Sequence, residues 1–358
     1  MSLALLLSTQ GLRVAWIPPA SARGAQRTDV RTYALSARSV DLLSRLKIWD
    51  ALPDDAKTAV LDMWVYGDDG QSRLTFSAFD QSVETLAWIV DAAQLERVLF
   101  EAVRFAPYIT SVTPDQPIQV ALRAFADGRQ AHAHRQPQAE SAWTHRYGHV
   151  GVAARVVSDT PHAAVARQWF RSPDIVALLP FDRPQPGASY GLVWSVPQDQ
   201  GRDLMTMTPA AFEEALMQAT SGLAGVLQLQ GQRASWPLAL NVGSSVCGPG
   251  WVAVGDAAHT VHPLSGQGLN LGLADVDCLS TVLAQRESFR DLGDEKLLRR
   301  YARQRWWSTH AMGAMTHGLQ QLFATPHPVG RHLRNQGLRW VERATPLKTL
   351  LARQAFRS

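Results

Sequence analysis

The stretch that most constrains the fold is "WVAVGDAAHTVHPLSGQGLNLGLADVDCLSTVL", Trp251 to Leu283. A short apolar run, Trp251–Val254, leads into a loop rich in glycine and proline. Beyond it Leu269, Leu273, Val276, Leu279 and Leu283 recur at helical spacing, as one buried helix face requires. Strand, glycine loop and helix in that order is the building unit of an α/β fold. Gly266 and Gly268 let backbone approach a ligand closely, and the first N–H groups of the helix have no partner inside it. Three chemistries compete for this loop: a metal site from Asp256, His259 and His262, a nucleophile at Ser265, or a backbone cradle for a cofactor. Pro263 and the glycines argue for a loop rather than a helical face of metal ligands, and Ser265 does not stand in a G-x-S-x-G elbow.

The first residues, "MSLALLLSTQGLRVAWIPP", read as an apolar helix, a turn at Gly11 and a short buried strand from Leu12 to Ile17. That is the second half of a βαβ unit. Ser39–Leu52 has a helical pattern with Val40, Leu42, Leu43, Leu46 and Trp49 on one side. "SRLTFSAFD" and the start of "TLAWIVDAAQLERVLFEAVRF" are strand-like, and the latter becomes an amphipathic helix near Asp91. Between about 150 and 200 the pattern turns to β: "IVALLPF" and "SYGLVWSVP" are strands, the second with Tyr190, Leu192, Trp194 and Val196 alternating with Gly191, Val193 and Ser195, as in a half-buried strand.

Charge is divided unevenly. Residues 286–358 carry 14 Lys/Arg against 5 Asp/Glu, a balance of +9, while residues 1–285 carry 21 against 26, a balance of −5. "RRYARQRWW", Arg299–Trp307, suits an anionic lipid, an acidic partner, a phosphorylated ligand or a solvated helix face. Nucleic acid is not expected, because no recognition motif accompanies the charge. The two cysteines, Cys247 and Cys278, are isolated, which fits a reducing compartment and excludes a cysteine-based zinc site. No apolar run approaches the roughly 20 residues that span a bilayer. A cytoplasmic protein, peripheral to the inner membrane, is expected.

"GWVAVGDAAHTVHPLSGQGLNLGLADVDCL" resembles the second flavin-binding motif of the FAD-dependent aromatic hydroxylases, and within them the ubiquinone-biosynthesis hydroxylase family. The resemblance continues through "DVRTYALSARSVDLLSRLKIWDAL" (Asp29–Leu52), "LAWIVDAAQLERVL" (Leu86–Leu99), "PHAAVARQWFRSPDIVALLPF" (Pro161–Phe181) and "LRNQGLRWVERATPLKTLLARQA" near the end. It implies that Asp256 accepts a hydrogen bond from a ribityl hydroxyl of FAD. The turn from Pro263 through Gly266, Gly268 and Leu269 would place backbone donors near the electron-accepting edge of the flavin, with Asn270 fixing the turn. By the same resemblance Arg31 and Gln94 lie near the FAD ribose and phosphates. Asp127, Gly128 and Arg135 of "FADGRQAHAHR" echo a further family motif, with altered spacing and no serine; a plain Asp-Gly turn is the alternative.

The resemblance implies a Rossmann-like α/β FAD-binding domain over residues 1–60, 90–150 and 240–320, a β-rich substrate domain over 61–89 and 151–239, and a helical tail over 321–358. Its implied reaction hydroxylates a small aromatic or polyprenylated phenol, with FAD as cofactor, NAD(P)H as transient reductant and oxygen as co-substrate. Peripheral membrane contact or a biosynthetic complex goes with such a substrate. Two departures stand out: there is no Gly-rich pyrophosphate loop, and Pro18 stands where such folds carry an acidic residue for the ribose. They keep open a non-catalytic scaffold in a biosynthetic complex. They also motivate the expectation that the reading frame begins upstream of Met1 and supplies a further strand and glycine turn.

Overall fold

A computed structural model describes residues 1–18, 29–67, 72–128, 141–243, 245–260, 268–307, 310 and 342. His262, Pro263, Ser265, Gly266 and Arg135 lie outside the described residues, as does the tail apart from Glu342.

The apolar start of the chain forms helix α1 (Ser2–Thr9), which buries Leu3, Leu5 and Leu6. The chain turns at Gly11 and enters strand β1 (Val14–Trp16). This strand is shorter than the Leu12–Ile17 run and is not buried as expected. Its ladder is a single parallel pairing with β7 (Ile109–Ser111), so much of its surface stays open. After β2 (Thr32–Leu35), the Ser36 side chain accepts from Ser39 N–H and caps α2 (Ala37–Arg45). The helical pattern read through Leu52 is cut short at Arg45, because Lys47 takes a left-handed backbone conformation (φ 57°) and turns the chain. Ile48 and Leu52 still reach the same core as Leu42 and Leu43, by way of a turn.

The β-rich region is one eight-stranded sheet, in the order β16 (His259–Thr260), β13 (Leu227–Gly243), β9 (Ser141–Ser158), β12 (Ser189–Pro197), β11 (Ile175–Phe181), β10 (Val165–Phe170), β4 (Asp62–Tyr66) and β5 (Arg73–Ser77). Neighbours are antiparallel except β10 and β4, which run parallel. The alternation in β12 does not mark a half-buried strand: both of its faces are covered. Tyr190, Leu192, Trp194 and Val196 share a core with Leu204 of α4 (Gln198–Thr206) and with Phe212 and Leu216 of α5 (Pro209–Thr220). On the opposite face lies a second sheet, β2–β6–β3, with β3 at Lys57–Val60 and β6 at Ala87–Asp91. At Gly191 the two sheets approach closely, since a Cβ there would fall 2.2 Å from Thr32 Oγ1. Arg155 of β9 ties them together. Its Nη2 donates to Arg31 O at 2.9 Å and to Asp91 Oδ2 at 3.2 Å, and its guanidinium lies over the Phe181 ring.

The rest of the α/β part gathers round a third ladder, in which β15 (Trp251–Ala253) lies between β8 (Arg123–Phe125), parallel, and β14 (Cys247–Gly248), antiparallel. Its apolar residues join α1, α2, α3 (Ala92–Phe105) and α6 (Gly268–Ala284) in one core. Leu297, Leu298 and Tyr301, from a helical stretch over residues 295–307, complete it. Leu273, Val276, Leu279 and Leu283 are buried as the periodicity requires.

The Gly191 contact yields a prediction for stability. Gly191→Ala should cost about 1–3 kcal/mol by overpacking against Thr32, read as a lower urea midpoint, and Thr32→Ala should recover part of the loss. An unchanged midpoint in Gly191→Ala would mean that the two sheets do not meet there.

Candidate functional site

The site begins where β15 ends. Val254 N–H donates to Phe125 O at 3.0 Å, which keeps β8 and β15 parallel to their ends. The chain then turns at Gly255, whose φ of 60° favours glycine. Gly272 of α6 lies directly across, and a Cβ there would sit 3.3 Å from Gly255 Cα. The strand end and the helix therefore touch backbone to backbone. Asp256 follows in a single 3-10 turn, Gly255–Ala257, and is half-buried. A Cβ on Gly268 would lie 3.9 Å from Asp256 Oδ1, so the carboxylate sits beside the first residue of α6. Asp127 and Gly128 lie just past β8, and Asp127 is exposed at the same carboxyl end of the parallel pair. Open α/β sheets hold ligands at such strand ends.

Below the turn is a buried ionic cluster that no motif announces. Asp275 of α6 is fully buried, and its Oδ2 accepts from Gly255 N–H at 2.9 Å and lies 2.6 Å from His259 Nε2. Oδ1 accepts from Arg305 Nε at 2.6 Å, and Arg305 Nη2 also donates to Leu271 O at 3.3 Å. Burial alone would push the Asp275 carboxyl up, but His259 and Arg305 outweigh it and hold the group below the usual carboxylate range. His259 thus has a structural partner. Asp256 in the 3-10 turn and His259 in β16 do not share a helical face, as the metal alternative required. One signal for Asp275 was present in the sequence: a carboxylate among the apolar residues of "LGLADVDCL" needs a buried partner. The partner, Arg305, is thirty residues away and looked like part of a basic run.

The other residues singled out fall into two groups. Asn270 is buried and engaged with the chain itself: Oδ1 accepts from Ser36 N–H at 3.0 Å and from Ser39 Oγ at 2.7 Å, and Nδ2 donates to Ala34 O at 2.8 Å. It pins the start of α6 to the junction of β2 and α2. Leu269 packs against the same core. Arg31 and Gln94 form the second group. Arg31 pairs with Asp29 through Nε at 2.9 Å and Nη2 at 2.6 Å, and its guanidinium sits 5.7 Å from the centre of the Tyr33 ring. Gln94, in the first turn of α3, receives Arg97 Nε and Nη2 on Oε1, while Asp91 caps its N–H. Tyr33 went unremarked in the sequence. Burial raises the pKa of its phenol, and Arg31, Asp29, Glu96 and Asp256 all act on it electrostatically.

These groups fit FAD. A half-exposed guanidinium suits a phosphate, a carboxylate suits a chain of hydroxyls, and the start of a 17-residue helix favours electron density that builds up beside it. Gly268 carries no side chain to fill the approach.

Comparison with known proteins agrees. A model of the FAD binding domain matches residues 124–314, more than half of the chain. The chain belongs to that family. This FAD-binding protein is 29% identical over 374 residues to the 3-demethoxyubiquinol 3-hydroxylase of Escherichia coli, covering 97% of this chain and 93% of that protein. It is 27% identical over 349 residues to the ubiquinone hydroxylase UbiL of Rhodospirillum rubrum, covering 92% and 80%. Among solved structures, the fold matches p-nitrophenol 4-monooxygenase PnpA of Pseudomonas putida with a TM-score of 0.74 at 14% identity, over 99% of this chain and 94% of that one. HpxO of Klebsiella pneumoniae, solved with FAD and uric acid, matches with 0.70 at 16% identity, over 98% and 94%. The resemblance read from Gly250–Leu279 therefore holds: this is an FAD-dependent monooxygenase of the aromatic hydroxylase type, with FAD as its cofactor.

Asn270 supplies a prediction. Asn270→Ala leaves the buried Ser36 N–H and the part-buried Ala34 C=O without this partner and should cost about 2–4 kcal/mol in urea unfolding. A loss below about half a kcal/mol would show that α6 is not anchored through this side chain.

Proposed function

We propose that this protein hydroxylates an aromatic ring in ubiquinone biosynthesis, using NAD(P)H and oxygen, with Asp256 and the start of α6 as the centre of its FAD site. The observation that carries the reading is the placement of the Asp256 carboxylate beside Gly268, at the carboxyl ends of β8 and β15. Bound FAD supplies the redox chemistry that activates oxygen. Asp256 would accept from the ribityl hydroxyls. The N–H groups at the start of α6, with Gly268 and Leu269, would stabilise negative charge on the flavin without a side-chain cation, and Pro263 and Gly266 of the same sequence motif would contribute to that end of the site. Arg31 and Gln94 would serve the ribose and phosphates, and Asp127 the same strand-end region. Asn270 would act by holding α6 in place.

The division of labour proposed for the chain is the one the family resemblance implies: residues 1–60, 90–150 and 240–320 for FAD, 61–89 and 151–239 for the substrate, and 321–358 as a tail. The eight-stranded sheet, stiffened by helices α4 and α5, forms a wall that could orient a ring and exclude water. Relatives named for ubiquinone hydroxylation make a phenolic, polyprenylated ring the favoured substrate class.

Asp256→Ala should weaken FAD binding roughly ten- to a hundredfold, the loss expected from one charge-assisted hydrogen bond of about 1.5–3 kcal/mol, with the far-ultraviolet spectrum unchanged. Equal affinities would take Asp256 out of the site, and a wild-type protein that takes up no FAD would remove the reading altogether.

A polyprenylated substrate also favours contact with a lipid surface. Among the described residues no helix is long and apolar enough to cross a membrane. Trp307 is 74% exposed and Trp306 48%, in a helical stretch that also exposes Lys296, Arg299 and Arg303. Aromatic rings beside cations suit the boundary of an anionic bilayer. Vesicles containing anionic phospholipid should bind the protein, less so as salt is raised. Equal partition onto zwitterionic vesicles, or none onto either, would dismiss the membrane contact.

A further inference from the structure

We infer that Asp275 is a positioning residue for the flavin turn, acting through the Gly255 N–H, with Arg305 as the counter-charge that keeps its carboxylate in place. The inference rests on the reading of Asp256 as a flavin contact and adds to it the groups that aim that carboxylate.

Four pieces of the fold converge on one buried carboxylate. Gly255 N–H comes from the end of β15, His259 from β16 at the edge of the large sheet, Arg305 from the 295–307 helix, and Asp275 itself from α6. Asp275 is 0% exposed, His259 4% and Arg305 8%, so water does not compete for these bonds. Only one of them reaches the backbone of the turn. Gly255 precedes Asp256 directly, and its left-handed conformation sets the direction in which the Asp256 side chain leaves the turn. Inside the turn, Ala258 N–H closes onto Gly255 O at 2.7 Å. That bond fixes the shape of the turn but not its placement relative to α6. The placement comes from the Gly255–Gly272 contact, which is repulsive at short range and sets a minimum distance, and from Gly255 N–H···Asp275, which is attractive and directional. The same α6 offers its first N–H groups to the ligand, so Asp275 locks together the two halves of the candidate site.

The charge of Arg305 has a separate task. A buried carboxylate without a cation would take up a proton, and a protonated oxygen turned toward Gly255 would no longer accept its N–H. Tyr301, one helical turn earlier, offers an internal control: its hydroxyl donates to Ala253 O at 3.0 Å and is buried, but it touches β15 rather than the turn.

Two double variants separate positioning from general stability. In Asp275→Asn with Arg305→Met, the amide oxygen still accepts from Gly255 N–H and no unpaired guanidinium is left behind. In Asp275→Ala with Arg305→Met that acceptor is gone. Tyr301→Phe reports what a loss of core stability alone does to FAD affinity. The flavin-free proteins are compared first, by hydrogen exchange at the Gly255 amide under native conditions. Exchange should stay slow in wild type, in Tyr301→Phe and in the Asn double variant, and should speed up at least tenfold in the Ala double variant. FAD titration should then give affinities within about threefold of wild type for Tyr301→Phe and the Asn double variant, and at least tenfold weaker for the Ala double variant. Equal Gly255 exchange in the two double variants overturns the inference whether or not FAD binds. Slow exchange restored by Asn while FAD affinity stays equal in both double variants overturns the link to the flavin. If wild type binds no FAD while the exchange pattern holds, the flavin reading fails and the anchoring of the turn stands.

Discussion

The contact between Gly255 and Gly272 is the constraint on which the site depends. A strand end and a helix can meet backbone to backbone only where neither carries a side chain, and here both positions are glycine. That closeness brings Gly255 N–H within reach of Asp275 and sets Asp256 beside Gly268. One close approach therefore fixes the carboxylate and the helix start relative to each other. Asn270 performs the matching task on the other side of α6, where it holds the helix to β2 and α2.

The ionic cluster beneath the turn illustrates a general balance. Removing the Asp275 carboxylate and the Arg305 guanidinium from water costs several kcal/mol per ion, and their mutual attraction offsets much of that without adding large net stability. Its effect lies in geometry: an apolar replacement could fill the volume but would leave the Gly255 N–H without an acceptor. Arg155 follows the same principle at the second junction. It is buried against Phe181 and bonded to Arg31 O and Asp91, and so joins the large sheet to the strands that carry Tyr33 and the cap of α3.

Much of this was legible in the sequence, and the reasons differ from element to element. The strand, loop and helix around Gly255–Leu283 were readable because apolar spacing and glycine placement are local signals. The same holds for α3, where Asp91 stands as an N-cap directly before an amphipathic run. Local signals failed where tertiary packing decided the outcome. Strand β12 alternates as if one face met water, yet Gly191 is buried where Thr32 of the second sheet lies over it, and Ser195 is buried as well. Helix α2 was read seven residues past its end, since Ile48 and Leu52 are buried by a turn that happens to preserve the apolar spacing. In the site, Asp256 and Gly268 came from the motif, but Tyr33 and Asp275 did not. The Asp275 carboxylate is held by Arg305, thirty residues away, and the pKa of the Tyr33 phenol is raised by burial, and no spacing rule signals either.

The central claim is that the geometry built on Gly255, Asp256 and α6 serves flavin-dependent hydroxylation. The most direct measurement supplies the protein with FAD, NAD(P)H, isotopically labelled dioxygen and a polyprenylated phenol, and follows the product by mass spectrometry. The account predicts a hydroxylated ring carrying one labelled oxygen atom from dioxygen, formed only when FAD and the reductant are both present. Reductant consumption that yields hydrogen peroxide and leaves every offered phenol unchanged would contradict it.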